Sequence, residues 1–219
     1  MSKKGGSAEK SNVRVVARCR PEDSREIASG GHTVVKFFSE KPGMVELMVD
    51  DVPQQFGFDR MFGPDSTQEQ VFNEVRPLIN DVLEGYNATV FAYGQTGTGK
   101  TYTMEGIIDS PGQEGIIPRS VAALFDGVAE AHEHMEFTFK VSYVEIYMEK
   151  VRDLLDPNRL KNNLVVREDR VNGIYIAGVT EEYVTSFEEL LQCMQNGAFN
   201  RATAATGMNL GSSRSHSVF

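Results

Sequence analysis

The scarcities of this chain narrow its class first. Only Cys19 and Cys193 occur among 219 residues, too few for a disulfide framework, and both read as reduced intracellular thiols that serve packing. No run approaches the ~20 apolar residues that a helix needs to span a bilayer, so no membrane insertion is expected. The start, Met1-Ser2-Lys3-Lys4-Gly5-Gly6-Ser7, has no apolar stretch behind its lysines and is not a secretory signal. Basic residues are outnumbered, 22 Lys and Arg against 31 Asp and Glu, for a formal net charge of −9. Sequence-nonspecific nucleic-acid binders need the opposite surplus, so no nucleic-acid partner is expected. An acidic partner of any kind would require the basic side chains to gather on one face. Lys3, Lys4, Lys10, Arg14, Arg18 and Arg20 do cluster near the start against Glu9 alone, which a solvated tail and a strand edge explain equally well. Repeats and low-complexity segments are also missing. What remains is an ordinary globular composition, long enough for one large core or two small ones.

Against that background one stretch stands out. Gly94-Gln95-Thr96-Gly97-Thr98-Gly99-Lys100-Thr101 satisfies G-x-x-x-x-G-K-[ST] at every fixed position. Gly94, Gly97 and Gly99 permit backbone conformations in which successive N–H groups turn inward around an anion. Lys100 supplies a mobile ammonium for the outer phosphates, and the Thr101 hydroxyl suits the shell of a Mg²⁺. The β-leaning run Ala88-Thr89-Val90-Phe91-Ala92-Tyr93 precedes the loop and reads as a buried strand. A helix beginning near Gly99 would complete the strand-loop-helix context that a phosphate loop demands.

Along the chain, residues 1–11 are polar and charged and are expected to be disordered, which leaves 12–219 as the folded unit. Residues 12–21 predict a strand stopped by Pro21. Thr33–Phe38, Met44–Val49 and Gln54–Phe58 predict a small antiparallel sheet. Ser66-Thr67-Gln68-Glu69 has the form of a capping box before a helical pattern that runs to Leu83, with Pro77 kinking or dividing it. A second helix is predicted from Ile117-Pro118. Glu136–Tyr147 alternates as one long central strand, and Lys150–Leu155 reads as a helical turn or two. Leu164–Arg167 and Gly173–Val179 look like short strands, and Ser186–Phe199 like an amphipathic helix. This alternation predicts an α/β fold: a mostly parallel or mixed central sheet of the P-loop NTPase type, with helices on both faces and a small antiparallel subsheet. Ligands of such sheets sit at the carboxyl ends of the strands, which places Arg18, Arg20 and Pro21 near the phosphate loop.

Asn209-Leu210-Gly211-Ser212-Ser213-Arg214-Ser215-His216-Ser217 is dense in hydroxyls, with one guanidinium and one imidazole. By itself it reads as a polar turn. Beside a phosphate loop it also has the groups that a γ-phosphate sensor needs.

Phe91–Met104 (FAYGQTGTGKTYTM) and Asn209–Ser217 (NLGSSRSHS) resemble the phosphate loop and first switch of the kinesin motor head. Val141–Leu155 (VSYVEIYMEKVRDLL) looks like the corresponding part of conventional kinesin heavy chains, and Arg18-Cys19-Arg20-Pro21 is similar to the family's adenine-side motif. The resemblance implies ATP or ADP with Mg²⁺ as ligands, and an ATP-hydrolysing microtubule motor in the cytoplasm and on the cytoskeleton. By position it implies that Gly94, Gln95, Thr96, Gly97, Thr98, Gly99, Lys100 and Thr101 hold the phosphates and that Thr101 binds Mg²⁺. Arg18 and Pro21, beside Arg20, would flank the adenine, and Tyr102 would close its other face. Asn209, Ser212 and Ser213 would sense the γ-phosphate, Ser213 reaching the metal, and Arg214 would pair with a glutamate of a second switch. His216 has a packing role as readily as a chemical one. Basic residues around Lys161, Arg167, Arg170 and Asn172 are candidates for the filament contact, and a solvated hairpin explains them equally well. Glu181-Glu182 stands where relatives tend to carry a basic residue.

The family pattern continues through a D-x-x-G-x-E switch, a filament-binding helix, a neck and a dimer-forming coiled coil, none of which this sequence contains. The expectation is therefore an incomplete motor domain over 12–219, active as a microtubule-stimulated Mg-ATPase in the intact protein and not by itself. The alternative is a nucleotide-binding, non-hydrolysing binding module. A GTPase is excluded by the absence of an N-K-x-D guanine motif.

Overall fold

The structure, a computed structural model, describes residues 13–31, 33–132, 134–158, 161–171, 173–206 and 215–219. The predicted tail lies outside them, as do Asn172 and the candidates Asn209, Ser212, Ser213 and Arg214.

Strand β1 (Val16–Arg18) is shorter than the run that predicts it. Helix α1 (Ser24–Ala28) follows, started by a capping box in which Asp23 accepts from the Arg25 and Glu26 N–H groups and Glu26 reaches back to Asp23. Strands β2 (Val35–Phe37), β3 (Met44–Val49) and β4 (Val52–Gly57) form the predicted antiparallel subsheet. Strand β5 (Arg60–Phe62) then returns parallel to β1, pairing Arg18 with Phe62.

Helices α2 (Gln68–Phe72) and α3 (Arg76–Leu83) are the predicted helical run divided at Pro77, which falls in the first turn of α3 where its missing N–H costs nothing. The capping box sits one residue later than the sequence suggests: Thr67 and Gln70 satisfy each other's backbone N–H groups. The Ser66 hydroxyl is already committed to the Gly63 carbonyl at 2.6 Å. Helix α4 (Lys100–Met104) leaves the phosphate loop, and α5 (Ile116–Ala129) starts where Ile117-Pro118 predicts.

Glu136–Tyr147 is not one strand. It splits into β6 (Phe139–Val141) and β7 (Val144–Tyr147), which belong to different sheets. The predicted helical turn after it is instead β8 (Lys150–Asp153), antiparallel to β7 across a tight turn in which Met148 and Glu149 both take positive φ. Hairpin turns of this kind normally advertise themselves with Asn-Gly, and this one does not. Strands β9 (Val165–Asp169) and β10 (Gly173–Ala177) form the predicted hairpin. Strand β11 (Glu182–Val184) pairs with β6, helix α6 (Phe187–Thr206) follows, and β12 (His216–Val218) pairs with β7.

Among the described residues the sheets are five separate ladders of two or three strands, not one continuous central sheet. The run 88–93 joins none of them. Val90 packs against the core, while Phe91 and Tyr93 are 78% and 95% exposed. A strand requires neighbours for its backbone groups, and β propensity alone does not provide them.

Helix α5 connects the two cores. On one side Ile116 joins Phe62, Val71, Phe72 and Val75. On the other Val121 joins Val141, Val184 and Leu190. Each such side chain, fully buried, contributes about 1.5–3 kcal/mol. Leu190 and Met194 fix the inward face of α6 as its spacing predicts. No helix is long and apolar enough to cross a membrane, among the described residues.

Candidate functional site

The loop between residue 93 and α4 is shaped by its glycines. Gly97 and Gly99 have φ of 85° and 90°, in the region that side chains avoid, and Gly99 caps α4 in this left-handed conformation. A Cβ on Gly94 would meet Thr98 Oγ1 at 2.6 Å. Thr98 closes the turn, its N–H and hydroxyl both donating to the Gln95 carbonyl at 3.3 and 2.8 Å. Lys100 Nζ donates to the carbonyls of Gly94 and Gln95 at 2.8 and 2.9 Å, so the ammonium stands inside the curve of the loop. Thr101 is exposed on the first turn of α4. The chain thus brings Gly94 through Thr101 together as one cradle, with open space around Gly97 where a Cβ would point.

A cleft of ≈ 450 Å³ connects this loop to the end of β1, lined by Arg18, Cys19, Arg20, Glu22, Glu26, Gly31 and Thr98. Arg20 forks onto both Glu26 oxygens and also donates to the Pro21 carbonyl at 2.8 Å. That pairing, with help from the Asp23 N–H, holds the Glu26 carboxyl down to about 2. Arg18 is turned inward. Its Nη1 donates to Gln68 Oε1 at 2.7 Å and Thr103 Oγ1 at 3.0 Å, and Nη2 donates to the Ser66 carbonyl. Its guanidinium lies 5.2 Å from the centre of the Tyr102 ring. Burial lowers its pKa, opposed by the nearby Tyr102. Gln68, 3% exposed, completes the link by donating to the Tyr102 and Gln113 carbonyls. Arg18 and Tyr102 are therefore brought together, but Tyr102 is not among the residues that line the cleft, and neither is the exposed Pro21. Burial pushes the Cys19 thiol up, which keeps it protonated where it lines the cleft.

Sequence reasoning missed Gln68 and Glu26. Residues 22–31 read as a polar loop, yet Asp23 and Glu26 form a capping box that starts α1 there, and Glu26 becomes the partner of Arg20. Nothing in the sequence marked Gln68 as the support of Arg18.

Arg167 and Arg170 lie exposed on the β9–β10 hairpin and its turn. Lys161 is drawn inward instead: Nζ donates to Thr180 Oγ1 at 3.0 Å and lies 3.9 Å from Asp153 Oδ2. Glu181 pairs with Lys140 at 2.9 Å. His216 is exposed on β12 opposite Ile146.

The chemistry of the loop suits a Mg²⁺, which takes oxygen ligands. Thr101 offers the hydroxyl, and no group of three or more His, Cys, Asp or Glu forms a rival site among the described residues.

Comparison with known proteins places these features in a family. The family described as Kinesin motor domain matches residues 18–219. The chain is 46% identical over 209 residues to a kinesin heavy chain of Syncephalastrum racemosum, covering 94% of this chain and 22% of that protein. It is likewise 46% identical over 209 residues to kinesin heavy chain isoform 5C of Rattus norvegicus, covering 95% and 21%. Among solved structures it is similar to one described as "Structure of a fast kinesin: Implications for ATPase mechanism and interactions with microtubules". The TM-score there is 0.88 at 45% identity, over 94% of this chain and 57% of that one. The chain spans about a fifth of the length of the curated relatives it matches. The glycine-shaped loop with Lys100 at its centre therefore sits in a chain that belongs to the kinesin motor domain family and is most like the conventional heavy chains.

Proposed function

We propose that this chain is the nucleotide-binding part of an ATP-driven microtubule motor head, working in the cytoplasm on the cytoskeleton. The observation that carries the reading is the cradle of 94–101, with the Lys100 ammonium held inside its curve by two loop carbonyls. Those two hydrogen bonds keep the cation pointed where the outer phosphates of ATP would bring their charge, so little reorganisation is needed on binding. Backbone N–H groups of the loop would hold the phosphates, and Thr101 would hold Mg²⁺. The metal, when bound, supplies charge neutralisation on the phosphate oxygens. Asn209, Ser212 and Ser213, outside the described residues, would contact the γ-phosphate, Ser213 also reaching the metal. Arg214 would pair with a second-switch glutamate. The cleft beside Arg18 and Arg20 takes the adenine side, with Tyr102 held in place by Arg18 and by its hydroxyl on Gln113 Oε1 at 3.0 Å.

Arg167 and Arg170 are the exposed cations that would meet an acidic filament, and Lys161 contributes less because its ammonium is committed to Thr180. In a motor of the relatives' length these events would be coupled to movement, and to dimerisation through a coiled coil.

Binding of a fluorescent ATP analogue with Mg²⁺ to the unaltered chain and to Lys100→Ala tests the reading. Saturable binding that weakens by at least about tenfold in the variant is expected, the loss of one charge-assisted phosphate contact. Equal binding by both forms would sink it.

A further inference from the structure

A polar cluster outside the phosphate loop lies where β7, α6 and β12 meet. Glu145 on β7 is 6% exposed and faces two cations, with Arg152 Nη1 3.6 Å from Oε2 and Arg201 Nε 3.5 Å from Oε1. Arg201, on α6, also forks onto β12. Its Nη1 donates to Ser217 Oγ at 3.0 Å, and Nη2 donates to the Ser215 carbonyl and hydroxyl, both at 3.1 Å. Arg201 and Ser215 are 14 residues apart in the chain, and the stretch between them carries Asn209, Ser212, Ser213 and Arg214.

The same cluster touches the end of the phosphate-loop helix. Glu105 caps the C-terminus of α4, and the Tyr143 hydroxyl donates to its Oε1 at 3.4 Å. Burial pushes the Glu105 carboxyl up, and the charge of Arg201 pulls it back. Tyr143 also meets the Ser217 hydroxyl, so the end of α4 is linked through Tyr143 to the β12 serine that Arg201 holds.

We propose that Arg201 is a positioning residue. By clasping Ser215 and Ser217 against the buried Glu145 carboxylate, it fixes residue 215 and the start of β12 relative to α6 and the end of α4. A guanidinium is the group for this task, because its planar fork reaches a carboxylate and two hydroxyls at once, whereas an ammonium is a point charge. The clasp stands on geometry alone. Its consequence for nucleotide rests on the reading of Asn209, Ser212 and Ser213 as γ-phosphate contacts.

The test uses the full chain with Arg201→Gln, Arg201→Lys and the double variant Ser215→Ala/Ser217→Ala. The double variant leaves the buried ion pair intact, so it folds even where loss of the Arg201 charge disturbs Glu145. Amide hydrogen exchange across 215–218, without nucleotide, reads the clasp. The ratio of affinities for a non-hydrolysable Mg·ATP analogue and Mg·ADP reads the positioning. Expected are exchange at 215–218 faster by about tenfold, ADP affinity within about twofold, and an ATP-over-ADP preference lower by about tenfold. Arg201→Lys recovers part of the exchange protection and little of the preference. Unchanged exchange in both Arg201→Gln and the double variant overturns the clasp. Faster exchange with an unchanged preference overturns the positioning role. Failure of the unaltered chain to bind either nucleotide would overturn the nucleotide reading and the positioning role with it, while the exchange result still decides the clasp.

Discussion

Gly197 lies in the middle of α6, directly over the ring of Tyr143. A Cβ added there would stand 2.1 Å from Tyr143 Cδ1 and 2.7 Å from Cε1. Carbon atoms pack at about 3.5–4.0 Å, so Gly197→Ala requires a displacement of more than about 1 Å. Tyr143 cannot supply it by turning. The ring is 1% exposed, meets Phe219 edge-on at 5.2 Å, and is tied through its hydroxyl to Glu105. Overpacking of this kind costs about 1–3 kcal/mol, and so short a contact belongs at the upper end. Replacing a helical Gly by Ala returns about 1 kcal/mol of backbone entropy. The net loss is about 2 kcal/mol, which for a chain of this length lowers Tm by roughly 4–8 °C. Gly127→Ala in α5 is the matched control. Its new Cβ would meet Leu83 Cδ1 at 2.3 Å, the end of a flexible side chain on the last turn of α3. Rotation of Leu83 relieves that contact, so the propensity gain survives and Tm holds or rises slightly. Thermal and urea unfolding of the two variants side by side check the reasoning. A Gly197→Ala protein as stable as the Gly127→Ala protein would refute it, and with it the view that Tyr143 is a fixed point between α4 and β12.

Two further outcomes follow from the surface charges. Because Arg20 holds the Glu26 carboxyl at about 2, against 4.5 ordinarily, the unfolded chain binds the extra proton first as pH falls. The pair's stabilisation is therefore complete above about pH 5 and lost as pH drops toward 2, and Glu26→Gln should lower the urea midpoint at pH 7 but not near pH 2. A variant whose deficit is the same at both pH values would contradict this. In a full-length head, Arg170→Glu should weaken microtubule affinity on the order of two- to fivefold at low ionic strength, converging with the unaltered head at high salt. Co-sedimentation across a salt series measures it, and parallel curves would remove the β9–β10 turn from the footprint.

The division between what was legible and what was not follows the range of the physics. Local chemistry could be read directly. Pro77 divides a helix because its ring and missing N–H act within one turn. Gly97, Gly99 and Lys100 shape a tight loop closed around an ammonium because their conformational freedom and charge act within eight consecutive residues. The hairpins β3–β4 and β9–β10 were equally visible in their alternation and turn residues. Readings that needed a distant partner failed. Residues 150–153 look helical in isolation and become a strand because β7 lies beside them. Residues 136–147 look like one strand and become two because β11 claims one part and β8 and β12 the other. The run 88–93 has every mark of a buried strand, yet among the described residues no ladder takes it up.

The same rule separates the halves of the candidate site. The sequence by itself determined the family and the glycine-shaped turn around Lys100, since both are carried by short motifs of adjacent residues. Tertiary structure decided that Arg18 rests on Gln68, that Arg20 is held by Glu26, and that Arg201 reaches from α6 to β12 over Glu145. A charged group held by the fold must find hydrogen-bonding or charged partners, and nothing in the order of residues along a chain states where folding will put them.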